Sequence, residues 1–550
     1  MLVAEAVART LATLGADRVF GVVGSGNFHV TNALVAAGAP FVAARHEGGA
    51  ATMADAYARV SGRLGVLSVH QGPGLTNAMT GLTEAAKSRT PLLVLAAETG
   101  AGAVRSNFRV DQAALATAVG AVPERVYTAA SAVADTARAV RRARLERRTV
   151  VLNLPLDVQA AAVPDGATGP SPPALPVLHL PRPAQPAVLA LADLLAGARR
   201  PVFLAGRGAR GARAELAALA DRCGALLATS AVARGLFAGS RWSLDVSGGF
   251  ASPLAAELIG AADVLVAWGC ALSMWTTRHG RLIGPHATVG QVDLDPDAIG
   301  AHHPVDLGVL GEVAQTAAAV DAELAGRPYQ AAGYRDPALA DRIAAEIRWR
   351  DVPFPDGSTA EAIDPRTLTI ALDDLLPAQR LVAVDSGNFM GYPSMFLSVP
   401  DEQGFCFTQA FQSIGLGLAT AIGAALARPD RLTVAALGDG GALMSIAELD
   451  TAVRLRLPLV VVVYNDSAYG AEVHHFGPDG HPLATVRFPD TDIAAIGRGF
   501  GCAGVTVRRP ADLAAVRAWL AGRPDCPLVV DAKVTADRGA WWLEEAFRGH

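Results

Sequence analysis

Two short, uninterrupted apolar runs, 432–437 (LTVAAL) and 459–464 (LVVVVY), flank a stretch whose apolar residues recur at helical spacing (446–457, IAELDTAVRLRL) and that stops at Pro458. Apolar runs this short are strands buried on both faces, so strand, helix and strand form one right-handed βαβ crossover of a parallel sheet. The first run ends in Gly438-Asp439-Gly440, and Asn465-Asp466 follows after 24 residues. Both acids therefore fall at the carboxyl ends of parallel strands, the edge where open α/β sheets bind ligands. Two carboxylates with little basic compensation nearby suit a hard cation held by oxygens, most simply Mg²⁺ bridging to phosphates. Gly438, Gly440 and Gly441 let the backbone come close to a diphosphate, which backbone N–H groups and a helix N-terminus receive.

This segment resembles the diphosphate-binding signature of thiamine-diphosphate enzymes, a GDG followed some two dozen residues later by Asn-Asn or Asn-Asp. The resemblance implies that Asp439 and Asp466 ligate the metal with the backbone carbonyl of Ala468, and that Asn465, Tyr469 and Gly470 join the cofactor-binding surface. Many relatives carry Asn at the position of Asp466, so the additional charge bears on metal affinity. Far upstream, Arg45-His46-Glu47-Gly48-Gly49-Ala50-Ala51 leads through Ala56-Tyr57-Ala58-Arg59 to Gly62. This is similar to the RHE…YAR pattern of the pyrimidine-binding domain of the same enzymes. There the glutamate matching Glu47 bonds to the aminopyrimidine and drives it to the imino tautomer, whose nitrogen takes the thiazolium C2 proton. The resemblance makes Glu47 the first catalytic candidate.

Further candidates follow from the same resemblance. Ser25 and Asn27 lie in a Gly-rich turn after the strand around Phe20, where relatives face the reactive carbon. His70 precedes a Gly-Pro-Gly turn of acetolactate synthase type, and Asn77 fits the helix start expected near Thr76-Asn77. The histidine itself resembles benzoylformate decarboxylase, and imidazole titrates where it can shuttle protons. Residues 108–112 (FRVDQ) resemble the loop bordering the active site in acetolactate synthases, with Gln112 as a catalytic candidate and Arg109 either meeting a substrate carboxylate or, the favoured reading, exposed and ion-paired. Ile414 matches the bulky aliphatic residue that wedges the cofactor into its bent shape. Glu472 and His474 lie on a helix after the metal site, but adjacent His474 and His475 point about 100° apart and cannot share one ligand face.

The chain has 550 residues, half of them hydrophobic, with a net charge of −5, which gives no reason to expect nucleic acid or an anionic membrane as partner. Lys87 and Lys533 are its only lysines, and its five cysteines lack any C-x-x-C, reading as buried small residues in a reducing compartment. Met1-Leu2-Val3 runs straight into a helical pattern and no apolar run nears 18 residues, so a cytoplasmic protein without a membrane span is expected. A Pro-rich linker over 158–187 and a looser boundary over 326–365 divide the chain into an N-terminal pyrimidine-binding domain (1–160), a central domain (185–325) and a C-terminal diphosphate- and Mg-binding domain (360–540). Nine apolar runs between helical stretches predict α/β architecture, with three doubly wound parallel sheets. Asp293-Leu294-Asp295 and Gly206-Arg207-Gly208 resemble the FAD-binding positions of some relatives, leaving FAD open.

The expectation is a thiamine-diphosphate- and Mg²⁺-dependent carboligase that decarboxylates a pyruvate-like 2-oxo acid and passes the acyl unit to a second carbonyl. A non-oxidative decarboxylase or C–C lyase, or an FAD-dependent oxidase, are the alternatives. The resemblance implies a homodimer or homotetramer with active sites between subunits.

Overall fold

The computed structural model describes residues 1–164, 175–328, 330–536 and 539–546. Three six-stranded sheets follow one another, and every strand pairing in them is parallel. The first contains β1 (Val19–Gly21), β2 (Phe41–Ala43), β3 (Gly65–Val69), β4 (Leu92–Glu98), β5 (Val122–Arg125) and β6 (Thr149–Pro155) in the order β2-β1-β3-β4-β6-β5. The second contains β7 (Pro201–Ala205), β8 (Leu226–Thr229), β9 (Ser243–Val246), β10 (Val264–Trp268), β11 (Thr288–Asp293) and β12 (Leu307–Leu310), ordered β12-β11-β10-β7-β8-β9. The third contains β13 (Arg380–Val384), β14 (Phe405–Phe407), β15 (Leu432–Gly438), β16 (Leu459–Asn465), β17 (Ala503–Val507) and β18 (Leu528–Lys533), ordered β14-β13-β15-β16-β18-β17.

The outer two sheets share one strand order, and the chain changes direction across them between β1 and β3 and between β13 and β15, and again at the edge formed by β5 and by β17. The middle sheet reverses between β7 and β10. Crevices beyond the strand carboxyl ends at these points are where such sheets take ligands. Every residue of β3, β7, β10, β13 and β16 is buried, which accounts for their unbroken apolar sequence. All nine apolar runs fall in strands. Most of the remaining strands are short, such as β2 and β14, or partly exposed, such as β9, β12 and β17, whereas β18 is fully buried but carries Asp531 and Lys533 in its sequence.

Some boundaries differ from expectation. The helix expected over 446–457 is the shorter Glu448–Arg454, and a separate helix that was not expected, Asp439–Met444, opens directly on the end of β15. The helix expected near Thr76-Asn77 starts at Pro73, since a first-turn residue needs no N–H donor. Of the expected linker, residues 165–174 lie outside the described residues, Leu156–Gln159 is helical, and Gln185–Gly197 opens the middle unit.

The outer units pack through two helices rich in small residues, Glu47–Ser61 and Gly417–Ala427. A Cβ on Gly423 would stand 2.2 Å from the Met53 carbonyl oxygen, so this crossing requires glycine. Beside it, the largely covered Arg59 pairs with buried Asp55 and Glu84 at 2.7 Å each. Glu84 also accepts the N–H groups of Ala410 and Phe411, at 3.2 and 2.7 Å, which ties the first unit to the loop leading to Ile414. Multiple partners offset the desolvation of these charges.

Candidate active site

Asp439 and Asp466 stand at the tips of the neighbouring strands β15 and β16, where Gly438 pairs with Tyr464 in register. Their carboxyl groups touch, and burial raises the pKa of both; the negative charge of Asp439 raises Asp466 further. The backbone N–H groups of Gly440 and Ala468 are aimed at them and only partly offset this. Two buried acids that resist ionising together form a donor set that a divalent cation relieves, so these residues fit Mg²⁺. Among the described residues no cluster of three His, Cys, Asp or Glu side chains forms a metal site, so backbone and ligand oxygens must complete this one.

Close packing explains the glycines here. A Cβ on Gly440 would lie 2.6 Å from the Tyr469 ring, one on Gly441 2.3 Å from Asp385 Oδ2, and one on Gly470 2.4 Å from Asp466 Oδ2. Gly438 lies against the Phe389 ring. Tyr469 precedes the Gly470–Phe476 helix and sets its ring edge-on to Phe488, 4.9 Å away. Ala468 bridges to Arg487. Half-buried Glu472 and His474 ride on that helix, His474 packing against Gly539. Ile414 is half-buried on the turn before Gly415.

Asn465 corrects an expectation. It is buried and turned inward, its Nδ2 donating to Asp531 at 2.9 Å and its Oδ1 accepting the Ser467 N–H at 3.2 Å. It fixes the turn that carries Asp466, with Ser467 held at φ +55°, and does not face the crevice.

The other half of the constellation gathers at the tips of β1, β2 and β3. Glu47 opens its helix, and the Asn77 amide donates to its Oε2 at 3.0 Å. His46 caps that helix, its Nδ1 accepting the Gly48 N–H at 3.0 Å. Ser25 Oγ lies 3.3 Å from His70 Nε2, and the Gln71 carbonyl lies 2.8 Å from Nδ1. Phe108 sets its ring edge-on to His70 at 5.1 Å, so the 108–112 loop does border this cluster. A Cβ on Gly74 would come within 3.1 Å of the His70 Cβ and 3.5 Å of Glu47 Oε1, so His70 and Glu47 both lie against the turn at Gly74.

Two residues expected here serve the scaffold instead. Asn27 is buried, accepting the Gly24 N–H at 2.8 Å and donating to Val22 O and Ser68 Oγ, both at 3.1 Å. Gln112, expected to be catalytic, is also buried: its Oε1 accepts the Gly72 N–H at 3.0 Å and its Nε2 donates to Ala97 O and Asn153 Oδ1 at 3.1 and 2.8 Å. Its amide is used in tying the turn after β3 to β4 and β6. Arg109 is exposed and, among the described residues, forms no ion pair, against expectation.

Sequence reasoning misses the clip between the two halves. Buried Glu448, on the Glu448–Arg454 helix, accepts the N–H groups of Arg45 at 3.1 Å and His46 at 3.0 Å. Asp450 pairs with Arg45 at 2.6 Å, and Arg454 donates to the Ala43 carbonyl at 2.6 Å. The backbone that presents Glu47 is thus gripped by the C-terminal unit. Asn388 is missed too: its Oδ1 accepts the Ala540 N–H at 3.2 Å and its carbonyl accepts Trp542 Nε1 at 3.0 Å, bringing the C-terminal segment beside Gly470. Clefts of about 430 and 340 Å³ open elsewhere, around Trp349 and Trp541 and around Arg234 and Arg348, and neither is lined by Glu47, His70, Asp439 or Asp466.

The middle sheet offers FAD little. A Cβ on Gly206 would stand 2.2 Å from the Gly269 carbonyl oxygen, and one on Gly208 2.8 Å from Gly269 Cα. The turns after β7 and β10 therefore pack closely on each other at the point where this sheet reverses. Asp295 is ion-paired with Arg89 of the first unit, and Asp293 accepts the Asp295 N–H at 3.0 Å. All five cysteines are free. No helix among the described residues is long and apolar enough to cross a membrane.

Comparison with known proteins gives three family matches in chain order. Residues 1–117 match "Thiamine pyrophosphate enzyme, N-terminal TPP binding domain", 188–320 the central domain, and 385–532 the C-terminal TPP binding domain. The chain is 34% identical over 538 residues to the probable 2-ketoarginine decarboxylase AruI of Pseudomonas aeruginosa, covering 92% of this chain and 89% of that protein. It is 30% identical to the sulfoacetaldehyde acetyltransferase of Alcaligenes xylosoxydans xylosoxydans, over 86% of this chain and 82% of that one. It is also 30% identical to the putative acetolactate synthase large subunit IlvB2 of Mycobacterium tuberculosis, over 90% of each.

Proposed function

The chain belongs to the thiamine pyrophosphate enzymes, and from that premise we propose that it uses thiamine diphosphate and Mg²⁺ to decarboxylate a pyruvate-like 2-oxo acid and transfer the acyl unit to a second carbonyl. The observation that carries this reading is the presence of two half-sites beyond the carboxyl ends of strands in two sheets of the same order, Glu47 with His70 after β2 and β3 and Asp439 with Asp466 after β15 and β16.

In this reading Asp439, Asp466 and the Ala468 carbonyl hold Mg²⁺, while Gly440 and Gly441 leave room for the diphosphate. Ile414 supports the cofactor from below. When bound, thiamine diphosphate supplies the sink for the electron pair left by departing CO₂. Glu47, oriented by Asn77, holds a proton against the aminopyrimidine ring, and His70 with Ser25 holds one beside the reacting carbon. Glu47 of one subunit works with the metal pair of another, which makes a homodimer the smallest active unit, within a homodimer or homotetramer. The substrates are small molecules, and nothing in the chain favours nucleic acid.

Simple decarboxylation with release of an aldehyde is the second reading, favoured by the His70–Ser25 pair, which offers a proton where an acyl acceptor would otherwise react. The name of the AruI relative supports the same alternative. Product analysis by mass spectrometry and chiral chromatography, with pyruvate and other 2-oxo acids in the presence and absence of aldehydes, decides between them. Acetolactate or a mixed acyloin establishes acyl transfer. Aldehyde alone establishes the decarboxylase, and consumption of no 2-oxo acid defeats both.

A further inference from the structure

We infer that Asp385 is a positioning residue for the reaction proposed above, and on that reading its carboxylate sets the spacing between the turn bearing Ile414 and the glycine cradle after β15. Asp385 is the first residue beyond β13, and its N–H donates to the Ala436 carbonyl of β15 at 3.0 Å. The tips of three neighbouring strands, β13, β15 and β16, thus end in Asp385, Asp439 and Asp466. Only the last two meet the expected metal.

The Asp385 carboxylate is fully buried and accepts only backbone donors. Its Oδ2 takes the Gly415 N–H at 3.0 Å, and its Oδ1 takes those of Ser386 at 2.9 Å and Leu416 at 3.2 Å. The same Oδ2 lies 2.3 Å from where a Cβ on Gly441 would be. One oxygen therefore touches the cradle on one side and the Ile414 turn on the other. Ile414 is half-buried, so packing alone does not fix it, and the amide that Asp385 grips belongs to the next residue.

A merely structural explanation is strained by the chemistry. Burial pushes the Asp385 carboxyl up to about 6 even with these donors, and among the described residues it has no cationic partner. A buried carboxylate without a counter-ion is a costly device for closing a turn. What it provides is two acceptor oxygens with no donor, which an amide side chain cannot match.

The test is Asp385→Asn, which places an NH₂ against backbone N–H donors with almost no change in volume. Thiamine diphosphate affinity in the presence of Mg²⁺ and the rate of deuterium exchange at C2 of the bound cofactor are measured side by side with the wild type. Affinity is expected to change less than tenfold, while exchange at saturation slows at least tenfold, because a shifted Ile414 turn misplaces the two rings and leaves the metal site intact. A saturated variant that exchanges at the wild-type rate overturns the inference and leaves the functional reading standing. A wild type that binds no thiamine diphosphate overturns both. Should the variant fail to fold, Gly415→Ala, strained at φ +87° and meeting Met444 Cβ at 3.0 Å, displaces the same turn; slowed exchange supports the inference and unchanged exchange overturns it.

Discussion

The Asn77 side-chain amide donates to Glu47 Oε2 across 3.0 Å, so the last residue of one short helix orients the first residue of the longer helix beside it. Glu47→Gln is expected to lower both turnover and C2 exchange by about 10²- to 10⁴-fold, the range for loss of a proton-transferring group. Asn77→Ala removes one hydrogen bond to Glu47, about 1 kcal/mol or roughly fivefold. Cofactor affinity stays within a few-fold in both, since the diphosphate and metal are held elsewhere. Steady-state kinetics with fluorescence titration of the cofactor checks the order of effects.

The metal pair gives a pH signature. Burial raises the pKa of both Asp439 and Asp466, and the charge of Asp439 raises Asp466 further, so a proton remains on the pair where ordinary carboxylates are ionised. Mg²⁺ must displace it, and its affinity is expected to weaken as the pH falls below neutrality. For the metal-free protein the sign is opposite. The folded state binds protons that the unfolded state does not, so stability is greatest below the ordinary carboxylate range and is lost as pH rises through the raised values. Asp466→Asn should raise the metal-free melting temperature at neutral pH and flatten the pH dependence of Mg²⁺ affinity. Calorimetry with and without Mg²⁺ between about pH 5 and pH 8 reads both quantities. Superimposable profiles for the two proteins would contradict the coupling.

Shared sites can be shown by complementation. Glu47→Ala and Asp439→Ala are each expected to be inactive alone. Random pairing of co-expressed subunits should restore about one quarter of wild-type activity, because half the dimers carry one intact site and one doubly damaged site. No recovery in isolated hybrids would place Glu47 and Asp439 of the same chain in one site.

His70→Ala separates proton delivery from earlier steps. C2 exchange should be unaffected, while aldehyde release falls by about 10²-fold or more. Ser25→Ala, which removes only the hydroxyl 3.3 Å from Nε2, should have a smaller effect. Rapid-quench analysis of product release resolves the steps.

The strand tips were legible in the sequence because β15 and β16 are buried along their length and so read as unbroken apolar runs ending in acids. Glu47 and His70 were legible through local motifs. Side-chain direction was not. Asn27, Gln112 and Asn465 sit beside tight turns, where a short polar side chain can equally face the crevice or pin the backbone, and all three pin it. Asp385 gave no signal because Asp before Ser-Gly looks like an ordinary turn. Glu448 contacts residues 402 and 403 positions away, a relation no local pattern encodes.

The grip of Glu448 and Arg454 on the backbone of residues 43–46, and of Asp450 on the Arg45 side chain, has a bearing on how such chains can be recombined. A chimaera joined in the linker between the first two sheets would inherit its proton-handling glutamate from one parent and the helix holding it from the other. Side chains that differ at those three positions would leave both parents' folds intact yet let Glu47 drift. The smallest part that can be swapped without loss is therefore a pair of segments at opposite ends of the chain, and not a sheet.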